Sequence, residues 1–202
     1  MTRTIRLLLI AAAIAASSSA ATAQGVRLRG TIESSAGNAI SLQATDGDRL
    51  QLTLTENAVI VAVVKASMAD IKEGTFVGSA AMPQPDGSQK ALEMHIFPEQ
   101  MRGTGEGHRP YAPMPNSTMT NGAASVVATV AGVDGSTLLV KYKDGEKKIV
   151  VPPGTPIVQY EIGSRSDLKP GARFTVPAAT RKPDGTLEAN RINVGRDGVA
   201  PQ

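Results

Sequence analysis

The stretch SMADIKEGTFVGSAAMPQPDGSQKALEMHIFP, residues 67–98, decides how the chain is read, because it returns as SRSDLKPGARFTVPAATRKPDGTLEANRINVG at residues 164–195. Asp70-Ile71-Lys72 with Gly74 matches Asp167-Leu168-Lys169 with Gly171. Pro85-Asp86-Gly87 matches Pro183-Asp184-Gly185, and Ile96 matches Ile192. A block written twice predicts a tandem duplication of one small unit. Within each block, Ser67-x-x-Asp70 and Ser164-x-x-Asp167 predict a capping-box start to one short helical turn, with Gly74 and Gly171 stopping it in a left-handed conformation. Two runs joined by an Asp-Gly turn follow, which is a hairpin pattern.

Working outward, the segments 26–33, 39–45 and 49–55 read as strands ahead of the first block, with turns near Gly37-Asn38 and Asp46-Gly47. Leu50, Leu52 and Leu54 alternate with polar residues, as a half-buried strand requires. The continuous apolar run 58–64 predicts a strand covered on both faces. The second block is preceded by the same plan at 124–133, 137–143, 147–151 and 157–160. Three strands, a connector with a helical turn and two more strands is the order of an OB-like, partly open barrel. The expected fold is therefore all-β: two tandem OB-like barrels of five to six strands, spanning 24–100 and 124–195. Residues 101–123, rich in Gly, Pro, Ser, Thr and Asn, predict an exposed linker, and 196–202 a loose tail.

Before the first strand, Arg3 and Arg6 precede a ten-residue apolar run at 7–16, and Ala21-Thr22-Ala23 forms an A-x-A site. This is the pattern of a secretory signal peptide over 1–23, with the mature chain starting at Gln24 in the periplasm or outside the cell. The run is about half the roughly 20 residues needed to span a bilayer, so no membrane span is expected in the mature chain. With no cysteine anywhere, lipidation after the cleavage site and disulfide or thiol chemistry are excluded. Each copy has about 75 residues, near the low end for independent folding. Three Phe, three Tyr and no Trp leave the cores to aliphatic residues.

The charge is weakly polarised. Residues 24–100 carry 6 basic and 9 acidic groups, net −3, and residues 123–202 carry 11 and 8, net +3. That is a mild dipole and not a polyanion-binding field.

The Gly30-Thr31-Ile32 opening, the Asp46-Gly47 hairpin, Asp70-Ile71-Lys72-Glu73-Gly74 and Pro85-Asp86-Gly87 give the chain a resemblance to a family. It resembles exported bacterial domains of unknown function, predicted as small OB-like units and often in tandem. Similar proteins are often labelled metal ABC transporter permeases. The second copy departs at its start, with Ala128-Thr129-Val130 in place of Gly-Thr-Ile. The matching motifs are turn chemistry, so the resemblance implies a fold and no reaction. The label directs attention to metal ligands.

The only histidines are His95 and His108, with Glu93, Glu99 and Glu106 nearby and five methionines between 82 and 119. Imidazole and thioether suit copper in an oxidising compartment, so a transition-metal site would use His95, His108, Glu93 and Met101. Strand parity puts Met94 in the core with Leu92 and Ile96, and His95 on the surface beside Glu93. The spacing fits no standard ligand motif. For nucleic acid, the best basic patch is Lys141, Tyr142, Lys143, Lys147 and Lys148. Parity turns Tyr142 inward, however, and the lysines then read as a solvated strand edge. Gly103-x-Gly105-x-Gly107 opens a Pro-rich segment and no helix, so it reads as a flexible loop. No G-x-S-x-G, H-E-x-x-H or Cys nucleophile is present, and turn geometry accounts for the Asp-Gly pairs, so no enzyme is expected. Lys65 ends its strand and should reach solvent. The expected role is a non-catalytic binding or interaction module with an unidentified protein or envelope partner. A metal-binding accessory protein is the alternative and an OB-type nucleic-acid binder the third reading.

Overall fold

The computed structural model describes residues 25–129 and 135–201, so the expected signal peptide over 1–23, the end of the strand expected over 124–133 and Asp134 of the expected Asp134-Gly135 turn lie outside the described residues. The expected strands form among the described residues, joined by one not expected. In order they are β1 (Val26–Ala36), β2 (Ala39–Ala44), β3 (Arg49–Lys65), β4 (Phe76–Pro83), β5 (Gln89–Ile96) and the unexpected β6 (Gly107–Pro110). After these come β7 (Thr118–Thr129), β8 (Ser136–Tyr142), β9 (Gly145–Val151), β10 (Ile157–Ile162), β11 (Arg173–Arg181) and β12 (Leu187–Gly195). In the hairpins of the two repeated blocks, Asp86 accepts from the amide and hydroxyl of Ser88, and Asp184 from those of Thr186. Each Asp thus closes its own turn, and Gly87 and Gly185 follow at φ 82° and 85°.

The helical turns are single 3-10 turns at Met68–Asp70 and Arg165–Asp167. The Ser67 amide donates to Asp70 and the Ser164 amide to Asp167, both at 2.8 Å. Gly74 and Gly171 do hold positive φ, but they lie beyond these turns, where the chain swings into β4 and β11.

The protein is all-β, and its strands form one continuous sheet that contains a closed five-stranded barrel. The barrel runs β12-β11-β1-β2-β3 and closes where β12 pairs parallel with β3, from Leu187↔Leu52 to Gly195↔Val63. Its interior is aliphatic apart from Phe174, with Ile32, Leu42, Leu52, Leu54 and Ile192 among the buried residues. The expectation that each copy closes on itself is not met. The barrel takes β1–β3 from the first copy and β11–β12 from the second. In return, β4 and β5 join β7, β8 and β9 in the order β5-β4-β7-β8-β9. There β5 and β9 meet over Gln89↔Ile149 and Lys90↔Val150.

The cause lies in β3. It continues as one strand through Glu56-Asn57, where a break between two strands was expected and where the register against β12 shifts, and its second half pairs antiparallel with β10 (Val63↔Tyr160). The chain therefore leaves β3 beside the other half, and β4 is delivered next to β7 instead of β1.

The register also corrects two correspondences. The Ile32 amide donates to the Ala172 carbonyl and accepts at its own carbonyl from Gly171; Ala124 does the same with Thr75 and Gly74. Gly122-Ala123-Ala124, and not Ala128-Thr129-Val130, thus stands where Gly30-Thr31-Ile32 stands. Likewise Met94 lies opposite Ile157 as Ile192 lies opposite Ile60, so Met94 is the counterpart of Ile192 and His95 that of Asn193.

Residues 101–123 are not an exposed linker. A 3-10 turn at Glu99–Met101, strand β6 and the start of β7 occupy this stretch, and Met101, Ser117, Met119, Thr120 and Asn121 are buried. The early part of β7 buries small polar residues in place of aliphatics, which hides the strand from a hydrophobicity pattern. Nor is the segment after 195 loose. Arg196 pairs with Asp167 and Glu161, its amide donates to Val63, and Val199 packs on the cluster Val61, Val63, Phe76, Phe97 and Tyr160. This cluster fills the seam between the two five-stranded sets.

Candidate functional site

From Glu93 to Ile96, strand β5 is buried on both faces. Met94 and Ile96 point into the core of the second set, while Glu93 and His95 point to the seam, followed by Phe97 just past the strand. A bulge opposite Ala80 and Ala81 leaves Leu92 partly exposed, out of step with Met94. Strand β10 lies parallel beside β5, with Val158 opposite His95, and brings Tyr160 into the seam. His95 stacks on Tyr160 with ring centroids 5.1 Å apart, and Phe97 meets Tyr160 edge-on at 5.1 Å. The expected surface position of His95 is therefore corrected, because the seam covers the outer face of its strand. Its partner stays as expected: His95 Nε2 lies 3.0 Å from Glu93 Oε1, with both side chains 6% exposed.

The other wall of the seam mirrors this pair with different chemistry. Arg191 and Asn193 occupy on β12 the positions that Glu93 and His95 occupy on β5. Arg191 Nε donates to Asn193 at 3.0 Å, and Asn193 Nδ2 donates to Thr175 at 3.3 Å. Burial raises the pKa of the Tyr160 phenol far above its ordinary value, and Glu93 adds to the effect while Arg191 and Arg27 oppose it. Burial also lowers the pKa of Arg191. The phenol is thus held neutral between an acidic wall and a basic one.

A pocket of about 430 Å³ opens at the acidic end. It is lined by Lys65, Glu93, Thr155, Pro156, Val158 and Val199 among others. Lys65 is exposed at the end of β3. The volume lies within the range of small-ligand sites, which combine apolar walls with a few fixed polar groups.

The four candidate metal ligands do not converge. His108 is on β6, opposite Thr120, which is opposite Ser79, which is opposite Met94; the neighbouring row holds His95, Gly78, Asn121 and Gly107. The two imidazoles therefore sit on opposite faces, three strands or about 14 Å apart. Met101 packs in the apolar seam cluster. Among the described residues, no group of three or more His, Cys, Asp or Glu side chains is placed to hold a metal ion. His108 Nδ1 lies 2.8 Å from Thr120 Oγ1, and its pKa is lowered by burial first and by Lys147 second.

In the lysine patch, Lys141, Lys143 and Lys148 are exposed, but Lys147 is half-buried opposite the core residue Val140. Tyr142 is half-buried. Gly103 and Gly105 lie in the turns entering β6, where the Gly105 carbonyl accepts from Arg109, and Gly107 is the first residue of that strand. Sequence reasoning passed over Tyr160 and Arg191. The available sign was a tyrosine in an apolar strand where the first copy has Val63. Comparison with family models, with curated proteins and with solved structures returned no match.

Proposed function

We propose that this chain is an exported, non-catalytic binding module of two OB-like barrels with exchanged hairpins, whose seam pocket takes an amine-bearing ligand. The strands β5-β4-β7-β8-β9 make the second OB-like unit of that reading. The observation that carries it is Glu93, a residue of the pocket lining whose carboxylate is fixed by His95 and almost wholly shielded from bulk solvent. A carboxylate held this way has lone pairs to spare for an ammonium or a peptide amino group, and little bulk water competes for them. Val158 and Val199 supply apolar walls for the rest of the ligand, and Lys65 at the rim favours a second, anionic group on it. A free amine or an amine displayed on a protein or envelope partner fits equally, since both present the same group.

The test is a thermal-shift and calorimetric panel of primary amines, amino acids and short peptides on the mature chain. Binding should be seen for at least one amine-bearing class and should be lost in Glu93→Gln, which keeps the shape and removes the charge. A flat panel, or equal binding by the variant, rejects the reading. Export rests on the basic start, the apolar run and Ala21-Thr22-Ala23. Terminal sequencing of envelope-fraction protein should begin at Gln24.

A further inference from the structure

The two five-stranded sets differ sharply at one end of their interiors. In the closed barrel, Leu28 pairs with Val176, Leu187 pairs beside Leu52, and Leu50 lies opposite Leu42. The same register positions in the other set hold Thr120 opposite Ser79, Gln89 beside Ile149, and Lys147 opposite Val140. Four apolar residues, Leu28, Val176, Leu187 and Leu50, have thus been replaced by Thr120, Ser79, Gln89 and Lys147, with hydroxyl, amide and ammonium groups. These are not surface positions: Ser79 and Thr120 are fully buried and Gln89 nearly so.

A polar layer in a barrel interior is tolerated when its members satisfy one another. This one does so only in part. Thr118 donates to Gln89, and Thr120 contacts His108, but the Ser79 hydroxyl is buried with no hydrogen-bond partner. Ser79, Thr120 and His108 stand in one row on three adjacent strands, facing the same way. Strand β6, which carries His108, borders this end of the sheet along β7. Lys147 stands on β9 opposite Val140, and after burial its charge is the second cause that lowers the His108 pKa.

We propose that this end of the second set binds a small oxyanion, a phosphate or carboxylate group, between the Ser79 and Thr120 hydroxyls and the Lys147 ammonium. Hydroxyls can donate to such a group and an ammonium supplies the opposing charge. The acidic residue two before His108, Glu106, is exposed and accepts from the Lys143 backbone amide. The site is distinct from the seam pocket, so failure of one leaves the other standing.

The closed barrel supplies the variants. Ser79→Val and Lys147→Leu install the residues found at the matching positions, and Ser79→Ala is the milder change should valine not fit. Thermal unfolding and amide NMR of the mature chain are recorded with phosphate, sulfate, acetate or glycerol phosphate against chloride at matched ionic strength. The wild type should be stabilised beyond chloride by at least one of these, with shifts at Ser79 and Thr120. Lys147→Leu should weaken that binding about tenfold or more. Glycerol phosphate binding as well as free phosphate identifies the anion as one carried on an organic molecule; free phosphate alone identifies the inorganic ion, and either supports the site. No effect beyond chloride in the wild type means an internal water only and overturns the proposal. So does undiminished binding in the folded variants.

Discussion

A methyl group at Gly30 would drive into the Gln43 carbonyl oxygen, and one at Gly122 into the Lys141 carbonyl oxygen. Neither obstacle is the end of a flexible side chain, so the backbone itself must move. Gly30→Ala and Gly122→Ala should each destabilise by about 2 kcal/mol or more, read as a lower urea midpoint with an unchanged slope. A second residue-scale outcome concerns the seam. His95→Ala leaves the Glu93 carboxylate buried without its partner and should cost about 2–3 kcal/mol. The double change with Glu93→Leu should recover part of that loss, because the stranded charge is gone. Single residues were legible in the sequence where one strand face decided them, as Met94 shows. They were illegible where a second layer decided them. His95 alternates like a surface residue, and only the neighbouring strand β10 reveals that its face is covered.

At the scale of elements, alternation and turn chemistry placed nearly every strand, because Asp-Gly turns and period-two runs are local signals. The stretch from Gly107 to Asn121 escaped, since it forms strand from Thr, Asn, Gly and His with few aliphatics to mark a face. The segment after β12 escaped for a different reason: it is held by charge. Arg196 bridges Asp167, whose side chain is 9% exposed, and also Glu161. The hydrogen bond from Arg196, with help from the Ser164 amide, lowers the Asp167 pKa below the usual carboxylate range. A carboxylate with a depressed folded pKa adds stability above its unfolded pKa, and that stability is lost as pH falls through the folded value. Arg196→Ala should therefore cost about 1–2 kcal/mol at neutral pH. The difference from the wild type should shrink below about pH 4. Denaturant titrations at both pH values check this, and an equal gap at both would disconnect the segment from Asp167.

At the scale of the whole molecule, the repeated block announced the strand content but not which half each hairpin joins. A hairpin that closes onto its own three strands and one that closes onto another copy's strands share the same alternation and the same turns. The choice is made by β3, which continues past Asn57 as one strand and pairs from Val61 to Lys65 with β10, a pairing that its own composition does not announce. Two outcomes follow. Unfolding of residues 24–202 should be a single transition by circular dichroism and by Tyr fluorescence, because neither five-stranded set is complete without strands from the other half. Residues 24–100 alone contain all the strand types of one set and should associate as an exchanged dimer, by the same pairing that joins the halves here. Light scattering after size exclusion tests this. A compact, cooperatively folded monomer would mean that the connector between β3 and β4 permits closure within one half.

The pairing of β1 with β11 and of β3 with β12 has a consequence for how the chain comes into being. The strands that complete the barrel begun at Val26 are the last to be made, at Arg173–Arg181 and Leu187–Gly195. Throughout synthesis, β1 and β3 stand with open edges while nearly the whole polypeptide has yet to emerge. Long-separation pairing of this kind folds slowly and leaves sticky intermediates. If the chain is exported as proposed, it would be threaded start-first through a membrane channel in that state, and its yield should then depend on a chaperone waiting at the exit.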